Sequence, residues 1–383
     1  MKTRWLAVFL AGISFAPVVA AEEPQVRVAI LQEAENFRLT VPNPCRALDL
    51  KTSAVLAEWP NLLWQEVRSD GPGLRVGQTT LASDAVVIQQ AAGSLFRINS
   101  RAYRGRLILR RSAASKVTAI NQLGLEEYLV GAVASEAHPD WPSETLKAHA
   151  VVSRTVVAHR MWVNQNRPFD VTADTSTHLY YGISAEREST QRAVEATRGQ
   201  VLTWEGELFS TTFHANCGGH TEDAAELWAS KKPLPPLKGV ADSYCKDRRH
   251  YRWSAKLRLD EFKKLLGEEA AAAGDLTRVE VVERNRSGRV RSVRLAGNRG
   301  EVRLTGRRFR ELLGANRLRS LKFNIKLSGS EVIFSGFGWG HGVGFCQWGA
   351  YGMARQGKKM DEILAHYFPG AQRKPLQGLP GFS

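Results

Sequence analysis

Two stretches of the 383-residue sequence hold side chains whose types and spacing suit chemistry. The first ends in Glu136, which follows the apolar run Leu129-Val-Gly-Ala-Val-Ala134 and precedes Ala137-His-Pro-Asp-Trp141. One reading of a carboxyl flanked by small residues and near Trp141 is partial desolvation, which would raise its pKa and make it a proton donor near neutral pH. The ordinary alternative is a solvated glutamate at a helix end. The second stretch runs from Phe334 to Ala350, where Gly336, Gly338, Gly340, Gly342 and Gly344 alternate with period two. In an extended segment these glycines share one face, a bare backbone floor open to close approach. The other face carries Phe337, Trp339, His341, Val343 and Phe345. Tight packing against another backbone is the competing reading. No Gly-Lys-Ser/Thr follows, so a phosphate loop is a poor reading. His341 and Gln347 beside Gly340 and Gly342 mark a ligand groove. A third group, His214, Cys217 and His220, has the side-chain types of a zinc site.

The elements that must position these residues read as a mixed α+β fold. From Pro24 to about Arg111 the pattern is strands, including Val26–Leu31 and Leu107–Arg110, separated by turns such as Asp70-Gly-Pro-Gly73. Helical patterning begins at Leu125–Val133. A second helix follows Asp140-Trp-Pro-Ser143, with Asp140 or Ser143 as cap and Pro142 in its first turn. Leu146, Ala150, Val157 and Met161 recur at helical spacing and predict its buried face. Pro233-Leu-Pro-Pro236 breaks the chain before a segment that mixes a helix near Leu257–Leu266 with strands near Arg278–Val282 and Val290–Leu295. Gly297-Asn-Arg-Gly300 predicts a turn.

Composition limits the function classes. A hydrophobic fraction of 43% with 33 Gly and 15 Pro excludes disorder, collagen and coiled coil as whole-chain readings. Lys2 and Arg4 precede an apolar stretch, Leu6 to Phe15, that is too short to span a bilayer. Val18 and Ala20 suit cleavage before Ala21, so residues 1–20 predict a signal peptide and an exported chain in the periplasm, cell wall or medium. No later stretch predicts a transmembrane helix. The formal net charge is +15. Lys246 to Lys326 carries 23 Lys/Arg against 10 Asp/Glu, which accounts for the whole excess of the chain after residue 20. A basic surface of this kind attracts polyanions. In an exported protein those are envelope polymers rather than nucleic acid, and a solvated charged face is the alternative.

Glu127-Tyr-Leu-Val-Gly-Ala-Val-Ala-Ser-Glu136 and Trp141-Pro-Ser-Glu-Thr-Leu-Lys-Ala-His-Ala-Val-Val-Ser-Arg-Thr155 together resemble the SpoIID/LytB family of bacterial cell-wall proteins. The resemblance continues through Tyr180-Tyr-Gly182, His214-Ala-Asn-Cys-Gly-Gly-His-Thr221 and Gly338–Ala350. It closes at Ile363-Leu-Ala-His-Tyr-Phe-Pro-Gly370, spanning roughly residues 95 to 371. It implies a lytic transglycosylase that cuts peptide-free peptidoglycan strands, or an enhancer of a partner N-acetylmuramoyl-L-alanine amidase. An exported polyanion binder is the third reading. The family's catalytic glutamate falls on Glu136, and no cofactor is implied. His341, Gln347, Tyr180, Trp141, Arg154, Gly340 and Gly342 are the candidate substrate-binding residues, with Trp339 and Trp348 as further candidates for stacking on sugars. Ala137 stands where the family usually has Met.

Some members hold zinc through a His-x5-Cys-x4-His-Cys cluster. Here its last two ligand positions fall on Ser176 and Thr177, so no metal is expected there. In an oxidising compartment a Cys217–Cys245 disulfide is preferred over zinc at His214, Cys217 and His220, leaving Cys45 and Cys346 to pair or stay free. The expected organisation is a leader (1–20), a β-rich region (21–94), a SpoIID-like core (95–245), a basic α+β insertion (246–326), the rest of the core with the glycine motif (327–371) and a tail (372–383).

Overall fold

The computed structural model of the chain describes residues 23–228 and 234–382, so the expected leader lies outside the described residues. Strand Gln25–Ala34 buries Val26 and Val28 and pairs antiparallel with Val117–Gly124. That strand pairs with Arg106–Arg111, which pairs with Ala85–Gln90. Cys45–Asp49 and Val55–Trp59 extend this sheet on one side, and Val171–Thr172 adds a parallel edge on the other, for seven strands. The sheet therefore runs across residue 94 without a break. A second, six-stranded sheet contains Asn36–Val41 and Leu62–Asp70. Phe37, Leu39 and Val67 from it pack with Val26, Ile88 and Leu109 from the first in one core.

Two helices follow directly. α1 spans Leu125–Glu136 and α2 spans Ser143–Val163. The cap expected from Asp140 or Ser143 is not made: Pro142 occupies the N-cap position, and no side chain bonds the first amides. α2 is buried on two sides. Ala150, Val157 and Ala158 join the N-terminal core, while Ala148, Val151 and Val152 join a second core with Val343, Phe345 and Phe368. Apolar residues around much of a helix are what a central position requires.

The basic segment packs around its own core of Phe262, Val293, Phe309 and Phe323, joined by Phe334 from the strand that follows it. Strands Leu276–Arg284, Val290–Gly297 and Gly300–Thr305 form an antiparallel sheet, with the predicted turn between Gly297 and Gly300. Its neck is the antiparallel pairing of Arg252–Arg258 with Glu331–Phe337. The second of these strands leads straight into the glycine motif. The architecture is α+β, as the pattern of strands and helices predicts.

Candidate active site

Glu136 is the last residue of α1, and its carboxyl opens into a groove of about 780 Å³. Burial pushes its pKa up to about 7, against the opposing effect of one hydrogen bond from the Leu179 amide to its Oε1, at 2.7 Å. The carboxyl is thus a proton donor near neutrality. Among the described residues lining the groove, Glu136 is the one carboxyl.

The glycine motif forms one wall, in a conformation unlike the expected extended floor. Gly338, Gly340, Gly342 and Gly344 all have positive φ, from +72° to +113°, which L side chains rarely adopt. They pack against the segment Thr212–Gly218 and Arg289. A Cβ at Gly338 would lie 2.6 Å from the Asn216 carbonyl oxygen, and one at Gly340 would lie 2.8 Å from His214 Cβ. The glycines permit backbone-to-backbone packing, and only Gly340 lines the groove; Gly342 faces the Arg289 guanidinium instead.

His341 lines the groove, yet both its nitrogens bond backbone. Nδ1 accepts from the Val343 amide at 3.1 Å and Nε2 lies 2.9 Å from the Phe213 carbonyl, which fixes the Nε2–H tautomer. Burial pushes its pKa down to about 4, so the ring is neutral. Its role is to hold the turn. Gln347 begins the helix Gln347–Arg355 and donates from Nε2 to the Glu136 carbonyl at 3.1 Å. The same nitrogen lies 3.3 Å from His149 Nε2. His149 and His178 are fully buried and do not line the groove; burial pushes both down to about 3, so both rings are neutral.

Three expected substrate contacts lie elsewhere. Tyr180 is buried among Tyr103 and Tyr128, with its hydroxyl 3.4 Å from Asn121 Oδ1. Trp141 packs edge-on against Trp348 at 5.0 Å and beside Tyr351, so neither tryptophan faces the groove. Arg154 is fully buried and grips Glu126 of α1 through bonds of 2.8 and 2.6 Å. It clamps α2 to α1 at the end opposite Glu136. Trp339 does line the groove, with Arg319 stacked on its ring at 4.6 Å.

Sequence reasoning missed the Leu179 amide, Arg160 of α2, Trp228 and Arg310, all of which line the groove. Arg160 follows Val156 by four residues on α2, a spacing that puts both on one helix face, and both line the groove. That spacing was the one available signal, because Arg310 lies far away in sequence. Arg310 comes from the basic insertion, where its Nε and Nη2 bond the carbonyls of Leu318 and Arg319. Ser176 and Thr177 line the groove as well.

Some of the basic segment's arginines are already engaged. Arg289 is buried, Arg291 pairs with Glu226 and Glu283, and Arg294 pairs with Glu280 and Glu301. These three arginines therefore add no free cation to the basic surface expected of residues 246–326. The cysteines differ too. Cys217 and Cys245 do not form the expected disulfide; their sulfurs lie 3.4 Å apart, and Cys346 lies beside them. Cys45 is free and buried in its strand between Gln90 and Trp59. His214 turns its Nδ1 to the Val343 carbonyl and His220 to the Thr221 carbonyl, so the two histidines are not co-ligands of Cys217.

A family model described as "Stage II sporulation protein" matches residues 113–204, which contain α1, α2 and Glu136. A model described as "Domain of unknown function (DUF8618)" matches residues 233–344. The chain is 31% identical to an uncharacterized protein of Brachyspira hyodysenteriae, over 91% of this chain and 93% of that protein. It is 31% identical to the stage II sporulation protein D of Bacillus amyloliquefaciens, over 66% of this chain and 74% of that one. It is 26% identical to the amidase enhancer of Bacillus subtilis, over 63% of this chain but 39% of that longer protein.

Proposed function

This chain belongs to the SpoIID/LytB family, and from that premise we propose that it is an exported peptidoglycan lytic transglycosylase acting on peptide-free glycan strands. The observation that carries the reading is Glu136: the one carboxyl among the described residues lining the groove, its pKa raised to about 7 by burial. Ordinary glycosidases need two carboxyl groups, one as acid and one as nucleophile or base. A transglycosylase takes its nucleophile from the substrate. Glu136 donates its proton to the glycosidic oxygen between MurNAc and GlcNAc as that bond breaks. The carboxylate so formed then removes the proton from the C6 hydroxyl of the muramic acid, whose oxygen closes on C1. The product carries a 1,6-anhydro end, no water is consumed, and Glu136 is protonated again.

Gln347 acts as a positioning residue, bonding the Glu136 carbonyl and so fixing where α1 ends. Arg160 and Arg310 supply positive charge to a groove whose proposed substrate carries a lactyl carboxylate on each muramic acid. The similarity to an amidase enhancer favours a second reading, in which the same groove presents glycan to a partner amidase without cutting it. The pairing of Arg291 and Arg294 with glutamates takes two arginines out of any general polyanion surface on this segment.

The test is to incubate the protein and its Glu136→Gln variant with peptide-free strands and read the products by mass spectrometry. Anhydro-muramic ends from the native protein alone are expected. Reducing ends would mean hydrolysis, and binding without cutting by both proteins would favour the enhancer.

A further inference from the structure

Behind the glycine wall, Cys217, Asp242, Cys245 and Cys346 bring one ligand atom each within 4.8 Å of one another, and all four residues are buried. They come from three separate segments: the turn after His214, the Asp242–Cys245 turn that precedes the insertion's neck, and the N-cap of the helix Gln347–Arg355. We propose that these three sulfurs and the Asp242 carboxylate form a structural zinc(II) site.

The spacing suits it. Cys217 Sγ lies 3.4 Å from Cys245 Sγ and 3.2 Å from Asp242 Oδ2. A tetrahedral ion with zinc–sulfur bonds of about 2.3 Å holds its ligands on edges of roughly this length, whereas a disulfide needs about 2.0 Å. Four protein ligands leave no open position, which is the mark of a structural rather than a catalytic zinc.

The surroundings are those a thiolate centre needs. The amides of Cys217 and Gly349 donate to Cys346 Sγ at 3.2 and 3.3 Å. The Tyr367 hydroxyl donates to Asp242 Oδ2 at 3.0 Å, while Asp242 Oδ1 is turned away to the Tyr244 and Cys245 amides. One carboxylate oxygen is thus oriented for the ion by a second layer of bonds. Gly349 makes the approach possible, because a Cβ there would collide with Asp242 and Tyr367.

Charge is matched as well. Zinc with three thiolates and one carboxylate keeps an excess of two negative charges. The buried Arg289 guanidinium donates to the Cys217 carbonyl at 2.9 Å, and Lys322 Nζ donates to the Gly218 carbonyl at 2.8 Å. A disulfide would use two of the three sulfurs and leave the third as a buried thiol beside the Asp242 carboxylate. Binding expels the thiol protons as the ion enters. The site ties the wall that carries Gln347 and His214 to the chain entering the insertion, and it stands independently of the reaction proposed for Glu136.

The full chain, purified without chelator from zinc-supplemented cells, is analysed for metal by plasma mass spectrometry and for thiols by alkylation after unfolding with chelator. About one zinc per chain and four alkylated cysteines are expected. After exchange with cobalt(II), thiolate-to-cobalt absorption is expected, and it should weaken in Cys346→Ser. Should that variant fail to fold, Tyr367→Phe retains every ligand and should lower zinc affinity about 10–100-fold. Metal-free protein with a disulfide among Cys217, Cys245 and Cys346 would overturn the proposal, as would zinc retained unchanged by both variants.

Discussion

The side-chain amide of Gln347 donates to the backbone carbonyl of Glu136, 211 residues away in the chain, at 3.1 Å. The bond joins the glycine motif to the end of α1 and so couples two stretches that look unrelated in sequence. Gln347 is 7% exposed and also meets His149, so its loss leaves buried polar atoms without partners. Replacing it with Ala should lower stability by about 1–3 kcal/mol. If Gln347 positions the acid, strand cleavage should fall further than that loss explains, with bound glycan retained; thermal melting and a cleavage assay at a temperature where both proteins are folded separate the two effects.

Glu136→Gln removes the transferable proton while keeping an oxygen to accept from Leu179. Cleavage should drop by about 10²–10⁴-fold, with strand binding little changed in a pull-down assay. Full activity in this variant would remove the proposed acid.

The raised pKa of Glu136 also links stability to pH. Its ordinary value of 4.5 rises to about 7 in the fold, so the folded state holds a proton that the unfolded state releases between these values. The contribution is fully present below about 4.5 and is lost as pH rises through about 7. The burden is at most about 3 kcal/mol. Glu136→Gln should therefore gain stability relative to the native protein as pH is raised from 4.5 to about 7, read as a growing difference in melting temperature. A difference that stays flat across this window would mean the carboxyl is ionised throughout.

Arg154 and Glu126 form a buried bidentate pair between α1 and α2. Removing one partner strands the other charge in the core, at a cost of about 3–5 kcal/mol. Arg154→Met should thus melt well below the native protein, while its folded fraction binds glycan with unchanged affinity. A selective loss of binding at full stability would return Arg154 to the groove.

Local pattern made the main elements legible: the strands near Val26 and Leu107, both helices around Glu136, and the Gly297–Gly300 turn all lie where alternation, helical spacing and turn residues put them. Glu136 stood out through the family motifs around it, since a helix-end glutamate beside small apolar residues is a weak signal by itself. Long-range partnership was not legible. Arg154 and Tyr180 occur in the motif-bearing stretches, but Glu126 and Asn121 engage them in the core, and motif membership alone does not separate packing from recognition. The glycine alternation has the period of a strand, yet φ values of +72° to +113° turn it into a tight wall. Period two among glycines has no side chains to place on a face, so it carries less conformational information than the same period among valines. Cysteine spacing hid the third sulfur, since Cys346 is 101 residues from Cys245 in sequence.

The insertion's excess charge is distributed so that position, more than number, decides which arginines reach a ligand. Arg291 and Arg294 are each engaged by two glutamates, whereas Arg160 lines the groove and forms no ion pair among the described residues. A solvated, paired guanidinium gains little from a second anion because its field is already offset by its partners and screened by solvent. Arg160→Gln should therefore weaken binding to peptide-free strands by about 2–5-fold at low salt, the range of a partly exposed ion pair, with a smaller effect at high salt. The double replacement Arg291→Gln and Arg294→Gln should leave that affinity unchanged despite removing twice the charge. Binding measured by co-sedimentation at two salt concentrations distinguishes a local carboxylate contact in the groove from attraction by net charge, for which the double variant would show the larger loss.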